Sequence, residues 1–215
     1  MTPDVPLTWS VVIPVKVLAR AKSRLTGLPA SDRAKLALAM AADTVAAVAA
    51  AGPVADVLVV TDDPDVRAAA SSLGALVVSD EPAAGLNEAL AFGASRARAL
   101  WPDRGVAGLA ADLPALRPAE LSLALTAAGA AASAFLRDAE GTGTTLYAAA
   151  PGASFEPMFG PGSAARHRDA GLAELDLPAV PGLRRDVDTI EDLRIAATIG
   201  VGPRTAAALR ILSSI

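Results

Sequence analysis

Residues 9–15, WSVVIPV, form a short run of mostly β-branched side chains that predicts a buried first strand. A basic loop follows it at 16–30, KVLARAKSRLTGLPA. Ser31 and Asp32 then offer an N-cap for a long alanine-rich helix, which we expect to stop at Gly52-Pro53. A buried strand, a polar loop and a long helix in this order are typical of the first unit of an α/β fold.

The same alternation of strand and helix continues to about residue 130. Further strands are expected at 56–61, 75–79 and 105–111. The helices between and after them are predicted at 63–73, 85–100 and from 118, with Asp63 as a cap before a first-position proline in the earliest of them. Four such units predict an open, mostly parallel, doubly wound sheet with right-handed crossovers.

The pattern changes after residue 130. Residues 133–136 and 144–149 predict a hairpin around the turn DAEGTG, which extends the sheet with antiparallel pairing. A glycine turn at 159–163 leads into a helix, 183–187 is expected to be a final strand, and helices follow from 188 and from 203. We interpret 1–215 as one domain, made of a parallel half (1–130), a half with antiparallel pairing (131–200) and a C-terminal helix (201–215).

Composition excludes several classes of protein. Nineteen basic and 23 acidic residues give a net charge of −4, which does not favour nucleic-acid binding. The absence of cysteine excludes disulfides and thiolate zinc sites, and a single histidine, His167, excludes a multi-histidine metal centre. Uncharged runs too short for a membrane span and an N-terminus unlike a secretory signal lead us to expect a cytoplasmic protein.

The candidate chemistry lies at the predicted carboxyl ends of the strands, where open α/β sheets bind ligands. The loop after Val15 is basic, whereas Asp112 and the pair Asp186 and Asp188 are acidic. Cationic side chains hold phosphate oxygens, and aspartates hold Mg²⁺ through oxygen. Neither G-x-x-x-x-G-K-[ST] nor a G-x-G-x-x-G after the first strand is present, so the pattern indicates nucleotidyl transfer instead of a P-loop or dehydrogenase site.

Each of these features also has a structural explanation. Asp112 could cap the next helix, and Asp186 or Asp188 could cap the helix near Ile190. The basic loop could be a solvated face, and the glycine-rich segments could be turns only. His167 is more often a surface or capping residue than a catalyst.

Five motifs in register resemble the guanylyltransferases of deazaflavin coenzyme F-420 biosynthesis. They are V-I-P-V-K…A-K-S-R-L, L-x-x-D-L-P-x-L, G-T-G-T-T-L, F-G-x-G-S-x-x-x-H and D-V-D-T-x-x-D-L, spread over residues 9–199. The resemblance implies a fold like that of the nucleotide-diphospho-sugar transferases. It also implies transfer of GMP from GTP to phosphoenolpyruvate, the acceptor of the actinobacterial type, whose arginine and alanine bias this chain shares.

The resemblance also implies that 1–130 is the nucleotide-binding half and 131–200 the acceptor-binding half, and it implies roles for individual residues. Metal ligands would be Asp112 and Asp188, with Mg²⁺ as the cofactor. Contacts to phosphoenolpyruvate would come from Thr144 or Thr145, Gly160 and Ser163. The nucleotide would be contacted by Pro14, Lys16, Lys22, Arg24, Gly85 and Asn87, with Lys22 and Arg24 also counted among the catalytic residues.

Three alternatives stay open at this point. The acceptor could be 2-phospho-L-lactate, which differs from phosphoenolpyruvate by one sp³ carbon. The chain could be a nucleotidyltransferase of the molybdenum-cofactor type, although F-G-P-G-S predicts a small acceptor pocket. It could also be a catalytically silent nucleotide-binding regulator, which the two strand-end aspartates argue against.

Overall fold

The computed structural model describes residues 7–20, 22, 24–81 and 83–212, with Arg20 described in its backbone only. Within these residues, no helix combines the length and the apolar character that crossing a membrane requires.

A seven-stranded sheet forms the centre of the described chain, in the order β3-β2-β1-β4-β6-β5-β7. Its strands are β1 (Trp9–Pro14), β2 (Val54–Val60), β3 (Leu76–Val78), β4 (Gly105–Leu109), β5 (Ser133–Arg137), β6 (Thr144–Ala149) and β7 (Ala173–Glu174). β1 lies between β2 and β4 and is parallel to both, and β3 is parallel to β2. The predicted parallel half is therefore confirmed.

β6 is the strand of this sheet that runs against the others. It pairs antiparallel with β4 on one side and with β5 on the other, while β7 is parallel to β5. The predicted hairpin and antiparallel extension are confirmed. As a result, the start of β6 lies at the same edge of the sheet as the carboxyl ends of β1, β4 and β5.

Helices cover both faces of the sheet. They are α1 (Ala30–Ala49), α2 (Pro64–Ser72), α3 (Leu86–Leu100), α4 (Pro118–Ala128), α5 (Ser163–Asp169), α6 (Pro181–Arg184), α7 (Ile190–Ile199) and α8 (Pro203–Leu212). Val11 and Ile13 of β1 pack with α1 and α4, whereas Val12 packs with α3 on the opposite face. This alternation follows from the two-residue period of a strand and confirms the doubly wound architecture.

Two predicted helix starts have different outcomes. Asp63 caps α2, because its carboxylate accepts from the backbone N–H groups of Asp65 and Val66. The predicted cap of α1 at Ser31 or Asp32 is wrong. The helix begins at Ala30, and its N-cap position is Pro29, which makes no side-chain cap. Asp32 instead lies in the first turn, where the helix dipole favours a negative charge.

The predicted final strand at 183–187 is also wrong. Residues Pro181–Arg184 form the short helix α6, which has proline at its first position. The edge of β5 that such a strand could have joined is occupied by β7, an element that the sequence analysis did not predict. Leu183 and Val187 are fully buried all the same, in two different core clusters, so their apolar character serves packing and not strand pairing.

Candidate active site

A cleft of about 580 Å³ lies at the edge where β1, β4 and β5 end and β6 begins. Its volume is in the range of small-molecule sites, roughly 300–1,000 Å³. Eight residues of the predicted site line it: Pro14, Lys16, Lys22, Arg24, Asp112, Thr144, Gly160 and Asp188. The strand ends therefore bring together residues that are up to 174 positions apart along the chain.

Lys22 joins the two predicted metal ligands. Its Nζ forms an ion pair with Asp112 and lies 3.0 Å from Oδ1 of Asp188. The Lys22 backbone has a φ of 55°, in the left-handed region that non-glycine residues rarely adopt. Arg24 Nη1 lies 3.4 Å from the other oxygen of Asp188.

The electrostatics of Lys22 follow from this geometry. Burial by itself lowers the pKa of the Lys22 ammonium, but attraction to Asp112 and Asp188 and hydrogen bonds to both outweigh it, so its pKa is raised. The carboxylates thus hold a cation between them. Lys16 is exposed and lines the cleft. The side chain of Arg20, a further base of this loop, lies outside the described residues.

The capping explanations for the aspartates are wrong. Helix α4 has Arg117 as its N-cap, five residues beyond Asp112. Helix α7 is capped by Thr189, whose hydroxyl accepts from the Asp192 N–H, while the Asp192 carboxylate accepts from the Thr189 N–H. Asp112, Asp186 and Asp188 are thus not needed to start a helix.

The loops that carry Asp112 and Asp188 are held against each other by backbone contacts. The N–H of Val187 donates to the carbonyl of Asp112 over 3.1 Å. The connection between α7 and α8 adds a second contact, in which the N–H of Gly202 donates to the carbonyl of Pro114 over 2.8 Å. Gly182 packs so closely on the carbonyl of Ala115 that a Cβ there would lie 2.1 Å from its oxygen. The distance between the two aspartates therefore depends on these backbone contacts and on glycine at position 182, where any side chain would push the loop after Asp112 away.

A second acidic group lines the same cleft. Asp138, Glu140 and Asp186 bring one carboxylate oxygen each within 4.8 Å of one another, so they could hold a metal ion. Burial and the neighbouring charge of Asp112 raise the pKa of Asp186 to about 7. The sequence analysis missed Asp138 and Glu140, because both lie in the DAEGTG turn, whose composition is that of an ordinary hairpin turn.

The two threonines of the G-T-G-T-T turn occupy different environments. The β5–β6 register pairs Leu136 with Leu146 and Arg137 with Thr144, which leaves Thr145 as an extra residue in a β-bulge. Thr144 lines the cleft. Thr145 is fully buried, and its hydroxyl has no hydrogen-bond partner among the described residues. Without the bulge, alternation along β6 would decide which threonine faces the cleft. Because the sequence does not reveal the bulge, the motif alone could not decide between Thr144 and Thr145.

His167 lies behind Thr144 and is fully buried, so its expected surface or capping position is wrong. The ring is surrounded by Phe135 and Tyr147, with ring centres 5.5 and 5.3 Å away, and by Phe159. Burial and the nearby charge of Arg166 lower the pKa of His167 to about 4, so the ring is neutral at pH 7.

Ser163 is the first residue of α5, and its hydroxyl is fully buried. It donates to Oγ1 of Thr144 over 3.0 Å, and Thr144 Oγ1 in turn lies 2.9 Å from Nδ1 of His167. The N-cap of α5 is Gly162, so Ser163 does not cap this helix. Ser163 does not line the cleft itself, and its hydroxyl is connected to the cleft by the hydrogen bond to Thr144.

Asn87 and Gly85 lie at the start of α3, beside the cleft. The side-chain amide of Asn87 binds the backbone of Phe159 on both sides, accepting from its N–H over 2.7 Å and donating to its carbonyl over 3.2 Å. Asn87 therefore fixes the segment that leads to Gly160. Gly85 has a φ of 132° at the N-cap position of α3.

Curated relatives resemble the chain over most of its length. A phosphoenolpyruvate guanylyltransferase of Thermomonospora curvata is 58% identical over 204 residues, covering 95% of this chain and 90% of the relative. One of Streptomyces coelicolor is 57% identical over 209 residues, covering 96% and 98%. Both relatives align along nearly their whole length.

Solved structures with the same fold share little sequence identity with this chain. A Desulfovibrio desulfuricans G20 protein assigned as a nucleotide-diphospho-sugar transferase superposes with a TM-score of 0.72 at 19% identity, covering 96% of this chain and 95% of its own. Rv0371c of Mycobacterium tuberculosis H37Rv in complex with manganese superposes with a TM-score of 0.53 at 20% identity, covering 88% and 97%. The predicted fold class is confirmed.

The model of the family described as guanylyl transferase CofC like matches residues 9–174, which include β1 to β7, Asp112 and the threonine and glycine motifs of the cleft, and end before Asp188. Together with the close relatives, this match shows that the chain belongs to the CofC-like guanylyl transferase family.

Proposed function

We propose that the protein joins GTP and phosphoenolpyruvate to give enolpyruvoyl-diphospho-5'-guanosine and diphosphate, a step of coenzyme F-420 biosynthesis. The observation that carries the proposal is the meeting of Asp112 and Asp188 on one cation, Lys22, inside a cleft of substrate size. Family membership and the names of the close relatives support the guanylyl donor and the acceptor. We expect the reaction to take place in the cytoplasm.

The reaction needs little proton chemistry. A phosphate oxygen of phosphoenolpyruvate forms a bond to the α-phosphorus of GTP, and the bond from that phosphorus to the bridging oxygen of the β-phosphate breaks. Diphosphate leaves with the electron pair. Since the attacking phosphate is already anionic near neutral pH, no general base is required. The main obstacle is the approach of two polyanions, which electrostatics and positioning can overcome.

The cationic side chains of the basic loop are suited to the triphosphate. Lys16 and Arg24 are exposed along the cleft, and the ion pair of Arg24 with Asp188 is itself open to solvent, so both cations can reach a ligand. Lys22 is fixed beside the carboxylates, where the reacting phosphorus must come if the aspartates take part. These groups would neutralise charge that develops on the leaving diphosphate.

The residues present fit a divalent cation. Two carboxylates that already converge on an ammonium offer the hard oxygen donors that Mg²⁺ prefers. We assign Asp112 and Asp188 as its ligands; a related fold was solved with manganese. When bound, Mg²⁺ would supply positive charge that offsets the repulsion between the two polyanionic substrates.

The acceptor is expected on the opposite wall of the cleft, formed by β6 and the 158–162 segment. Thr144 can donate from its hydroxyl, and Gly160 offers backbone at a φ of 117° where a side chain would be strained. Ser163 and Thr145 stand behind this wall and would act through Thr144 or by packing. Holding the small acid in line with the α-phosphorus supplies the proximity contribution to catalysis.

Nucleotide and acceptor choice can be tested in one assay. Diphosphate release is measured with ATP, GTP, CTP and UTP, each combined with phosphoenolpyruvate or 2-phospho-L-lactate, in Mg²⁺ buffer. We expect GTP with phosphoenolpyruvate to give the highest kcat/KM. Faster turnover of CTP or UTP with either acid would contradict guanylyl transfer, and faster turnover of 2-phospho-L-lactate would change the acceptor alone.

Thr144 is expected to affect the acceptor and not the nucleotide. Thr144→Val removes a hydroxyl that would bond a charged oxygen, an interaction of about 1.5–3 kcal/mol. Since about 1.4 kcal/mol corresponds to tenfold, KM for phosphoenolpyruvate should rise roughly tenfold or more, with KM for GTP nearly unchanged. Thr144→Ser keeps the hydroxyl and is the matched control. Equal KM values for phosphoenolpyruvate in Thr144→Val and wild type would remove Thr144 from the acceptor site.

A further inference from the structure

The environment of His167 determines which of its ring nitrogens carries hydrogen. The backbone N–H of Met158 points at Nε2 over 3.1 Å. A backbone N–H can only donate, so Nε2 must be the unprotonated, accepting nitrogen. In a neutral imidazole the hydrogen then lies on Nδ1, which faces Oγ1 of Thr144 at 2.9 Å.

This tautomer decides what the Thr144 hydroxyl can do. Thr144 Oγ1 accepts one hydrogen bond from Nδ1–H of His167 and a second from the hydroxyl of Ser163. A hydroxyl oxygen has two acceptor lone pairs and one hydrogen to donate. Both lone pairs are used inside the protein, so the hydrogen is left for the cleft that Thr144 lines.

We propose that His167 is a positioning residue that, as the neutral Nδ1–H tautomer, forces Thr144 to present its hydroxyl hydrogen to an anionic oxygen of the acceptor. The inference rests on the proposed function, in which Thr144 contacts phosphoenolpyruvate. It gives a reason for a histidine at this place. A neutral imidazole has one donor nitrogen and one acceptor nitrogen at a fixed separation. The Met158 N–H makes Nε2 the acceptor and therefore Nδ1 the donor.

The surroundings of the ring keep it neutral. Its neighbours Phe135, Tyr147 and Phe159 are aromatic and the site is buried, which disfavours the charged form. A doubly protonated ring would also place a hydrogen on Nε2 against the Met158 N–H. The arrangement therefore holds one protonation state throughout the neutral pH range.

The first test is spectroscopic and uses the ligand-free protein. His167 is the only histidine in the chain, so the ring nitrogens of ¹⁵N-histidine-labelled protein give signals from a single residue. At pH 7 we expect a protonated Nδ1 and an unprotonated Nε2. An Nε2–H tautomer or a charged ring at this pH would overturn the proposal, whether or not the protein transfers GMP.

The second test uses two substitutions that each keep one half of the ring's hydrogen bonding. His167→Asn places an amide N–H at the position of Nδ1, and His167→Gln places an amide oxygen at the position of Nε2. We expect KM for phosphoenolpyruvate to rise about tenfold in His167→Gln and clearly less in His167→Asn, with KM for GTP within about twofold of wild type in both.

Phe135→Leu is the matched control for packing. It removes an aromatic neighbour of His167 and no hydrogen bond of the ring, so it should lower Tm and leave KM for phosphoenolpyruvate unchanged. Equal changes in KM for phosphoenolpyruvate in the Asn and Gln variants, or a wild-type KM in His167→Gln, would mean that His167 contributes packing only and would overturn the proposal. A wild-type enzyme without activity on GTP and phosphoenolpyruvate would overturn the proposed function instead, and the tautomer would still be read from the first test.

Discussion

Asp112→Asn and Asp188→Asn are each expected to lower turnover at least about 10²-fold, comparable to the loss of a main electrostatic stabiliser. Asparagine keeps the size of the side chain but removes the charge that a divalent cation and Lys22 both need. The carboxylates are 25% and 47% exposed, so the loss of charge should change Tm little. Steady-state turnover at saturating GTP and phosphoenolpyruvate, with a melting curve for each variant, measures both quantities.

Asp62→Asn is the matched control for these variants. Asp62 also follows a parallel strand, β2, but its carboxylate accepts from the N–H of Asp80 and does not line the cleft. We expect its turnover to remain close to that of wild type. Wild-type turnover in Asp112→Asn and Asp188→Asn would mean that the two carboxylates only anchor Lys22.

Gly182→Ala is expected to lower both stability and activity, although Gly182 does not line the cleft. The new Cβ would lie 2.1 Å from the Ala115 carbonyl oxygen and 2.6 Å from Oε2 of Glu120, closer than any real contact. Overpacking of this kind costs about 1–3 kcal/mol, and more where backbone must move. The backbone that moves belongs to the loop after Asp112, so the two aspartates should separate and turnover should fall about tenfold or more.

Gly52→Ala is the control for this prediction. A methyl group added at Gly52 would meet no atom within 4 Å, and the residue has no positive φ, so alanine should be tolerated there. Urea unfolding of both variants gives the free energy of unfolding, and turnover is measured under native conditions. A Gly182→Ala variant with wild-type turnover but reduced stability would show that the aspartate spacing does not depend on this contact.

The parallel half of the fold was predictable because its signals are local. WSVVIPV, the Asp63-Pro64 cap and the alanine-rich helices each predict an element without knowledge of its neighbours. The segment 183–187 shows the limit of such reasoning. Whether its apolar residues pair or only pack depends on whether the edge of β5 is free, and β7, a two-residue strand with no distinct sequence pattern, takes that edge.

In the candidate site, too, some residues could be predicted from the sequence and others could not. The strand-end rule placed Asp112 and the pair Asp186 and Asp188 beside the basic loop, although the strand expected before Asp188 does not form, and the family motifs selected Asp188 from that pair. The structure brings Asp112 and Asp188 to Lys22. The burial of His167 could not be predicted, since its surroundings come from β5, β6 and the 155–159 segment. The double contact of Asn87 with Phe159 joins residues 72 positions apart and likewise leaves no local signal.

The reversed direction of β6 makes one wall of the cleft the tip of a hairpin, whereas the facing wall consists of connections from strand to helix. The hairpin tip is braced by Asp138, whose carboxylate accepts from the N–H groups of Thr142 and Gly143. Such a tip can change in length or composition while the strands behind it stay paired. β1 and β4, which lead into the cationic loop and Asp112, would keep their register through such a change. Enzymes that descend from this fold and take a larger acid onto the same nucleotide are therefore expected to diverge first between residues 138 and 143.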